Sequence, residues 1–194
     1  MNLGQLIEKI RGLTVDALRA AAAEHADGGS VIYEPALRGA DGKPVTDGAL
    51  ALPTRVDLVV VAADGTAQES VTVDSKRMVT FEPVSLEWDG GMDVQVEPFQ
   101  WDWCGLRLEG LPDSPKWTAL TAWFLRRFES EGDGSDLSGV VHFLGDPSAH
   151  GDAVALTLDF GSAPADAFGE LLQALSETGA RRVLVGRPST TATD

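Results

Sequence analysis

The spacing of hydrophobic residues changes period five times along the chain, and each change marks a change of element. Leu3, Leu6, Ile7 and Ile10 recur at helical spacing. Gly12 interrupts them, and Val15, Leu18, Ala21 and Ala22 then resume on one face as far as Glu24. The pattern predicts a pair of N-terminal helices, the second capped by Thr14 and closed by His25 and Asp27-Gly28-Gly29. From residue 30 the period becomes that of strands. Residues 31–33 start one, and 39–48 (GADGKPVTDG) are loop. Residues 56–62 are nearly all apolar, as expected of a strand covered on both faces. Asp64-Gly65 turns the chain into an alternating stretch over 70–74. Val84, Leu86 and Trp88 then answer Met92, Val94 and Val96 across the turn Asp89-Gly90-Gly91.

The segment 101–128 (WDWCGLRLEGLPDSPKWTALTAWFLRRF) predicts a short aromatic strand, a turn and an amphipathic helix. It holds four of the five tryptophans, Trp101, Trp103, Trp117 and Trp123. Leu120, Thr121, Phe124, Leu125 and Phe128 lie within about 80° of Trp117 on a helical wheel. Asp113 or Ser114 is placed to cap this helix, with Pro115 at its first position. Residues 137–144 and 153–160 follow as two strands of a hairpin with the tip GDPSAHGD. Ser162 then caps a helix starting near Pro164, with Phe168, Leu171, Leu172 and Leu175 on its apolar face and Gly179 at its end. Residues 182–185 form the closing strand, parallel to 153–160 through a right-handed crossover. The expected fold class is α+β: a mainly antiparallel, mixed sheet with an N-terminal helix pair, a central amphipathic helix and a C-terminal ββαβ unit. One domain over 1–187 carries it, with a sub-division at 1–112 and 113–187 as the alternative, and 188–194 is a frayed polar tail.

Charge narrows the partners. Thirty Asp and Glu against fifteen Lys and Arg give a formal −15, which argues against a phosphate-neutralising nucleic-acid surface and against an anionic membrane. A basic protein partner or a cation suits it better. The single Cys104 excludes an internal disulfide, fits a reducing cytoplasm and reads as a buried, inert thiol. Glu8, Lys9 and Arg11 break any signal-peptide core near the N-terminus. On the second hairpin, strand alternation gathers Ser85, Glu87, Asp93, Gln95 and Glu97 on one face. Between residues 78 and 114 eight acids (Glu82, Glu87, Asp89, Asp93, Glu97, Asp102, Glu109 and Asp113) meet one base, Arg107. Such clustering marks either a solvated face or a docking surface for a basic partner.

Candidate chemistry is sparse. His142, Asp146, Ser148, His150 and Asp152 crowd the predicted hairpin tip. Metal and triad ligands are present in type, but Gly145, Pro147 and Gly151 preclude the regular helix that would align His142, Asp146 and His150. Glu129, Glu131, Asp133 and Gly134 imitate the start of a calcium loop, whose twelfth position is then Val140. The Gly161-Ser162 N–H groups could hold an anion, without the glycine pattern of a phosphate loop. Trp123 sits on the flank of the central helix's apolar face: it either closes the edge of the core or, with Arg127 four residues on, anchors a partner through a Trp–Arg pair.

Three functions are consistent with this reading. The preferred one is an acidic cytoplasmic protein-binding module of immunity or antitoxin type, masking a basic partner such as a toxin through Glu87, Asp93, Glu97, Asp102, Trp123 and Arg127. The second is a hydrolase or metal-dependent enzyme using His142, Asp146 and His150. The third is an accessory subunit whose aromatic patch forms an oligomer interface. No cofactor and no metal site are expected, and the pattern carries no statement of oligomeric state.

Overall fold

The computed structural model describes residues 1–26, 29–129 and 136–188, so the acidic stretch holding Glu131, Asp133 and Gly134, and the tail beyond Pro188, lie outside it. The N-terminal segment is one helix, α1 (Leu3–His25), rather than a pair. Asn2 and Gln5 close a reciprocal capping box at its start, the Asn2 carboxamide oxygen accepting from the Gln5 N–H at 2.9 Å. An interior glycine costs about 1 kcal/mol relative to alanine. Here Leu6, Ile7 and Ile10 before Gly12, and Val15, Leu18 and Ala22 after it, are all buried on one stripe, which outweighs that cost. Thr14 is buried within the helix instead of capping one.

Helix α1 lies against a small antiparallel sheet of β1 (Gly29–Tyr33), β4 (Leu58–Ala62) and β5 (Ala67–Val71), in the order β1-β4-β5. The short ribbon of β2 (Thr46–Asp47) and β3 (Leu52–Pro53) fills the connection between β1 and β4. Strand β4 is fully buried only at its first residue, Leu58, and the next four residues are partly exposed. Its apolar run therefore overstates its burial.

The large sheet comprises β6 (Val84–Trp88), β7 (Met92–Val96), β8 (Cys104–Glu109), β9 (Phe143–Leu144), β10 (Ser148–His150), β11 (Ala153–Asp159) and β12 (Arg182–Gly186). Its order is β10-β11-β8-β12-β7-β6, with β9 also paired to β11. The fold is α+β with a mixed sheet, as the sequence leads one to expect. Strand β12 runs parallel to β7 and antiparallel to β8, while β11 is antiparallel to β8. Strands β11 and β12 thus share a direction, as expected, but β8 is inserted between them.

Helices α2 (Thr118–Phe128) and α3 (Asp166–Ser176) pack on each other and share a core with α1 on one face of this sheet. Helix α2 starts at Thr118 with Trp117 as its first half-turn residue and no side-chain cap, so Asp113, Ser114 and Pro115 precede it, the first two in a bend. Strand alternation sends Val94, Val96, Leu106, Leu108, Leu156, Leu158, Val183 and Val185 into the core. Trp101 stacks on Phe160 at 4.0 Å between ring centroids, and Trp123 meets the same ring edge-on at 6.3 Å. Opposite them, Ser85, Glu87, Asp93, Gln95, Arg107, Thr157, Arg182 and Leu184 form the open face of the sheet, exposed or partly so. Of the tryptophans in the central segment only Trp103 is exposed, at 54%. Trp123→Ala is therefore expected to lower the free energy of unfolding by about 3–5 kcal/mol, while Trp103→Ala changes it by no more than about 0.5 kcal/mol. Urea denaturation of the two variants tests that contrast.

Candidate functional site

Where the two sheets meet, the interior holds an ionic cluster. His142 is 1% exposed and Glu34 not at all. The His142 ring faces carboxylates at both nitrogens: Nε2 lies 2.8 Å from Glu34 Oε1, and Nδ1 lies 2.9 Å from Asp57 Oδ1 and 3.5 Å from Asp159 Oδ2. Glu34 is fully occupied. Oε1 also accepts from the Ser162 N–H at 3.0 Å, and Oε2 accepts from the Ser138 N–H and the Ser162 hydroxyl, both at 2.7 Å. A carboxylate so surrounded is stable inside a protein, because each lone pair replaces the water it has lost.

The backbone is bent to achieve this. Glu34 ends β1 in the left-handed region at φ 51°, directly before Pro35, a combination unfavourable for a non-glycine residue by about 1–3 kcal/mol. On the other side, Gly161 (φ 52°) lies so close to the imidazole that a Cβ there would sit 2.3 Å from His142 Cδ2. Only glycine allows that approach, and it fixes the plane of the ring.

Burial disfavours the imidazolium, but the carboxylates of Asp159, Asp57 and Glu34 outweigh it and hold the His142 pKa well above its ordinary value of 6.5. Burial likewise pushes Glu34 upward. The hydrogen bond and charge of His142, with the bonds from Ser162 and Ser138, overcome that and leave the Glu34 pKa below 4.5. Arg55 adds a second cation: its guanidinium donates to the Glu34 carbonyl and to the Phe128 carbonyl at the end of α2, and lies 4.5 Å above the Phe128 ring. One cluster thereby ties β1, the start of β4, the end of α2 and the end of β11 together.

The cluster borders a cleft through two of its carboxylates. Asp57 and Asp159 line a cleft of about 490 Å³ with Arg55, Asp74, Gln100, Asp102, Trp103 and Phe143. Burial raises the Asp102 pKa; the Ser75 N–H, bonded at 2.9 Å, pulls it back, and the charge of Asp159 adds to the rise. Trp103 and Phe143 also form part of a second groove, of about 530 Å³, on the open sheet face beside Glu97, Arg107, Asp146, His150 and Arg187.

The residues singled out from sequence are distributed between these places. Glu87, Asp93 and Glu97 do share the open face, and Glu87 stands opposite Asp93 in the β6–β7 register. They are not unopposed, however. Strand β12 brings Arg182 beside Asp93, where it donates to Gln95 at 2.7 Å and lies 3.5 Å from Glu109, and Arg107 meets Glu109 at 3.1 Å. Asp102 is not on that face but in the cleft. Trp123 is 1% exposed and cannot anchor a partner; Arg127 turns to α3, bonding Glu170 at 2.7 Å and Asp166 at 3.0 Å. The aromatic patch considered as an interface is largely core.

The three candidate catalytic residues do not converge. His142 is inside the cluster. Asp146 accepts from the Ala49 and Leu50 N–H groups at 2.6 and 2.8 Å, pinning a loop, and His150 lies in the wall of the open-face groove. Cys104 is buried and its pKa is pushed far up by desolvation, as an inert thiol requires. The Gly161 and Ser162 N–H groups do meet anions, and these are the chain's own: Gly161 donates to Asp159 Oδ1 at 2.8 Å and Ser162 to Glu34 Oε1 at 3.0 Å. Helix α3 begins only at Asp166, so Ser162 is not its cap.

Glu34, Asp57 and Asp159 were not legible as a site from sequence, because they and His142 are dispersed from residue 34 to residue 159. The available signals were a charged residue directly before a proline and an aspartate leading into the apolar run of β4. Comparison with known proteins found no matching family model, no similar curated protein and no similar solved structure.

The two shifted groups set a pH window for stability. The His142 contribution is complete below pH 6.5 and disappears as pH rises through its higher folded value; that of Glu34 is complete above pH 4.5 and disappears as pH falls through its lower folded value. In metal-free buffer the cluster should therefore stabilise the fold most between these limits. Glu34→Gln should cost about 3–5 kcal/mol there, by leaving a buried imidazolium short of one partner, and should flatten the decline above pH 6.5. Denaturant titrations at a series of pH values measure both effects.

Proposed function

We propose that the chain is a protein-binding module that takes a basic partner on the open face of its large sheet. The supporting observation is that this face is free of the molecule's own described helices. It presents Glu87, Asp93 and Glu97 beside an open groove, with the exposed Trp103 at the groove's rim. Acidic side chains give a cationic partner its approach and orientation, and an exposed tryptophan next to a groove provides the apolar anchor that charge alone does not. Arg107, Arg182 and Arg187 interrupt the negative surface. The fitting partner therefore alternates basic and acidic groups rather than presenting a uniform cationic patch. Masking a basic toxin, as an immunity or antitoxin protein does, is the biological form of this reading. It draws on the formal charge of −15 and on the open face alone.

An enzyme built on His142, Asp146 and His150 is not favoured by the geometry, since His142 is separated from the other two. The test compares the native protein with Glu87→Lys/Asp93→Lys/Glu97→Lys and with Trp103→Ala as immobilised bait. A basic protein retained by the native bait should be released by moderate salt, should be lost from the triple variant, and should bind Trp103→Ala with at least about 2 kcal/mol less affinity. Equal retention by all three baits would place binding elsewhere and end this reading.

A further inference from the structure

Apart from any docking on the open face, the cleft at the sheet junction has the form of a cation site. Asp57 Oδ1, His142 Nδ1 and Asp159 Oδ2 point at one another, all within 4.8 Å, with Nδ1 at 2.9 and 3.5 Å from the two oxygens. Nitrogen and oxygen ligands held about 2.1 Å from one ion stand about 3.0–3.4 Å apart in octahedral or tetrahedral arrangement. The observed pairs bracket that spacing. A proton on Nδ1 bonds Asp57 well but Asp159 Oδ2 poorly, and that oxygen has no other donor among the described residues.

The groups behind these three atoms are also arranged as a ligand set requires. The other oxygen of each aspartate is held by a backbone N–H: Asp57 Oδ2 accepts from Val73 at 2.7 Å, and Asp159 Oδ1 from Gly161 at 2.8 Å. Glu34 receives Nε2 at 2.8 Å and Gly161 fixes the ring plane, so Nδ1 is the nitrogen presented. A carboxylate behind a histidine, orienting it and raising its donor strength, recurs in metal sites. Both aspartates line the 490 Å³ cleft, and its other titratable residues are Asp74, Asp102 and Arg55. Ligands from one side, a path from the other and a local excess of negative charge are thus all present.

We propose that Asp57, His142 and Asp159 form a three-ligand site for a first-row divalent cation such as Zn²⁺ or Mn²⁺, with its remaining coordination positions open to the cleft. One histidine and two carboxylates on one side of the ion suit these borderline and hard metals. Asp102 and Gln100 line the same cleft without being among the three direct ligands.

The test uses the whole chain, stripped with chelator. Calorimetry with Zn²⁺ and with Mn²⁺ should show one site per chain, and Co²⁺ should give the visible absorption of nitrogen–oxygen coordination. Asp159→Asn keeps the oxygen that accepts from Gly161 and removes the charge, and should weaken binding at least about tenfold. His25→Gln/His150→Gln, altering the other two histidines, and Glu97→Gln on the open face should leave it unchanged. Uptake that is absent, or that Asp159→Asn does not alter, overturns the site. Should Asp159→Asn fail to fold, ¹⁵N imidazole spectra of the native protein decide: saturating Zn²⁺ should move His142 Nδ1 far more than Nε2, and an unmoved His142 overturns the proposal.

Discussion

The pairing of Glu34 with His142 is the interaction on which the arrangement of the molecule depends. Glu34 comes from the end of a strand in the small sheet, and His142 from the segment entering the large one, so their bond joins the two sheets. Neither group could be buried alone, since an unpaired charge in the interior costs several kcal/mol. Together with Asp57 and Asp159, every carboxylate oxygen and ring nitrogen of the cluster except Asp159 Oδ2 has a partner within 3.0 Å. That completeness makes the cluster specific as well as tolerable. Displacing any of its contributing segments leaves a charge behind, whereas sliding one apolar face over another would not. Left-handed Glu34 and the glycine wedged against the ring show that local backbone preference has given way to the geometry of this pairing.

Around the cluster the hydrophobic pattern does what such patterns do. The eight inward residues of β7, β8, β11 and β12 meet three helices, and the aromatic stack of Trp101, Phe160 and Trp123 fills the space between layers. The opposite face is left mostly to polar and small residues, with Leu184 among them. Gly105 and Gly186 sit opposite each other in the β8–β12 pair and help hollow the open-face groove, with the backbone of Pro188 passing over Gly105. The division into a filled face and an open one thus follows from strand alternation alone, while the depth of the groove comes from where glycines fall in the register.

Periodicity made the strands and the helix faces legible, because each is a local repeat with a fixed period. It misread boundaries where two local rules compete. Gly12 looked like a break and was overridden by burial on both sides of it; Asp113, Ser114 and Pro115 had the chemistry of a helix start but lie ahead of it, in a bend and the loop that follows. The candidate site was legible only in fragments. His142 attracted notice for its residue type, yet its partners come from three other segments, and no spacing rule links residues 34, 57 and 159. Trp123 shows the converse: its position on the flank of the helical wheel left it between core edge and partner anchor, and α3 and Phe160 close over that flank and make it core.

Net charge behaves in the same way, as a total whose meaning depends on where the chain sends each part. Between residues 78 and 114 the acids appear almost unopposed, but the fold lays β12 between β7 and β8 and so sets Arg182 among Asp93, Gln95 and Glu109. Asp102 leaves the group for the cleft, where it joins Asp57, Asp74 and Asp159 around a single arginine. The excess of carboxylates is therefore divided into two fields of different character. On the open sheet, charges alternate in exposed positions where salt screens them within about 10 Å. In the cleft, negative groups stand beside buried partners, and the lower dielectric strengthens their pull on any cation that enters. Trp103 and Phe143 form part of the wall of both, so the same two aromatic rings border an exposed field and a partly enclosed one.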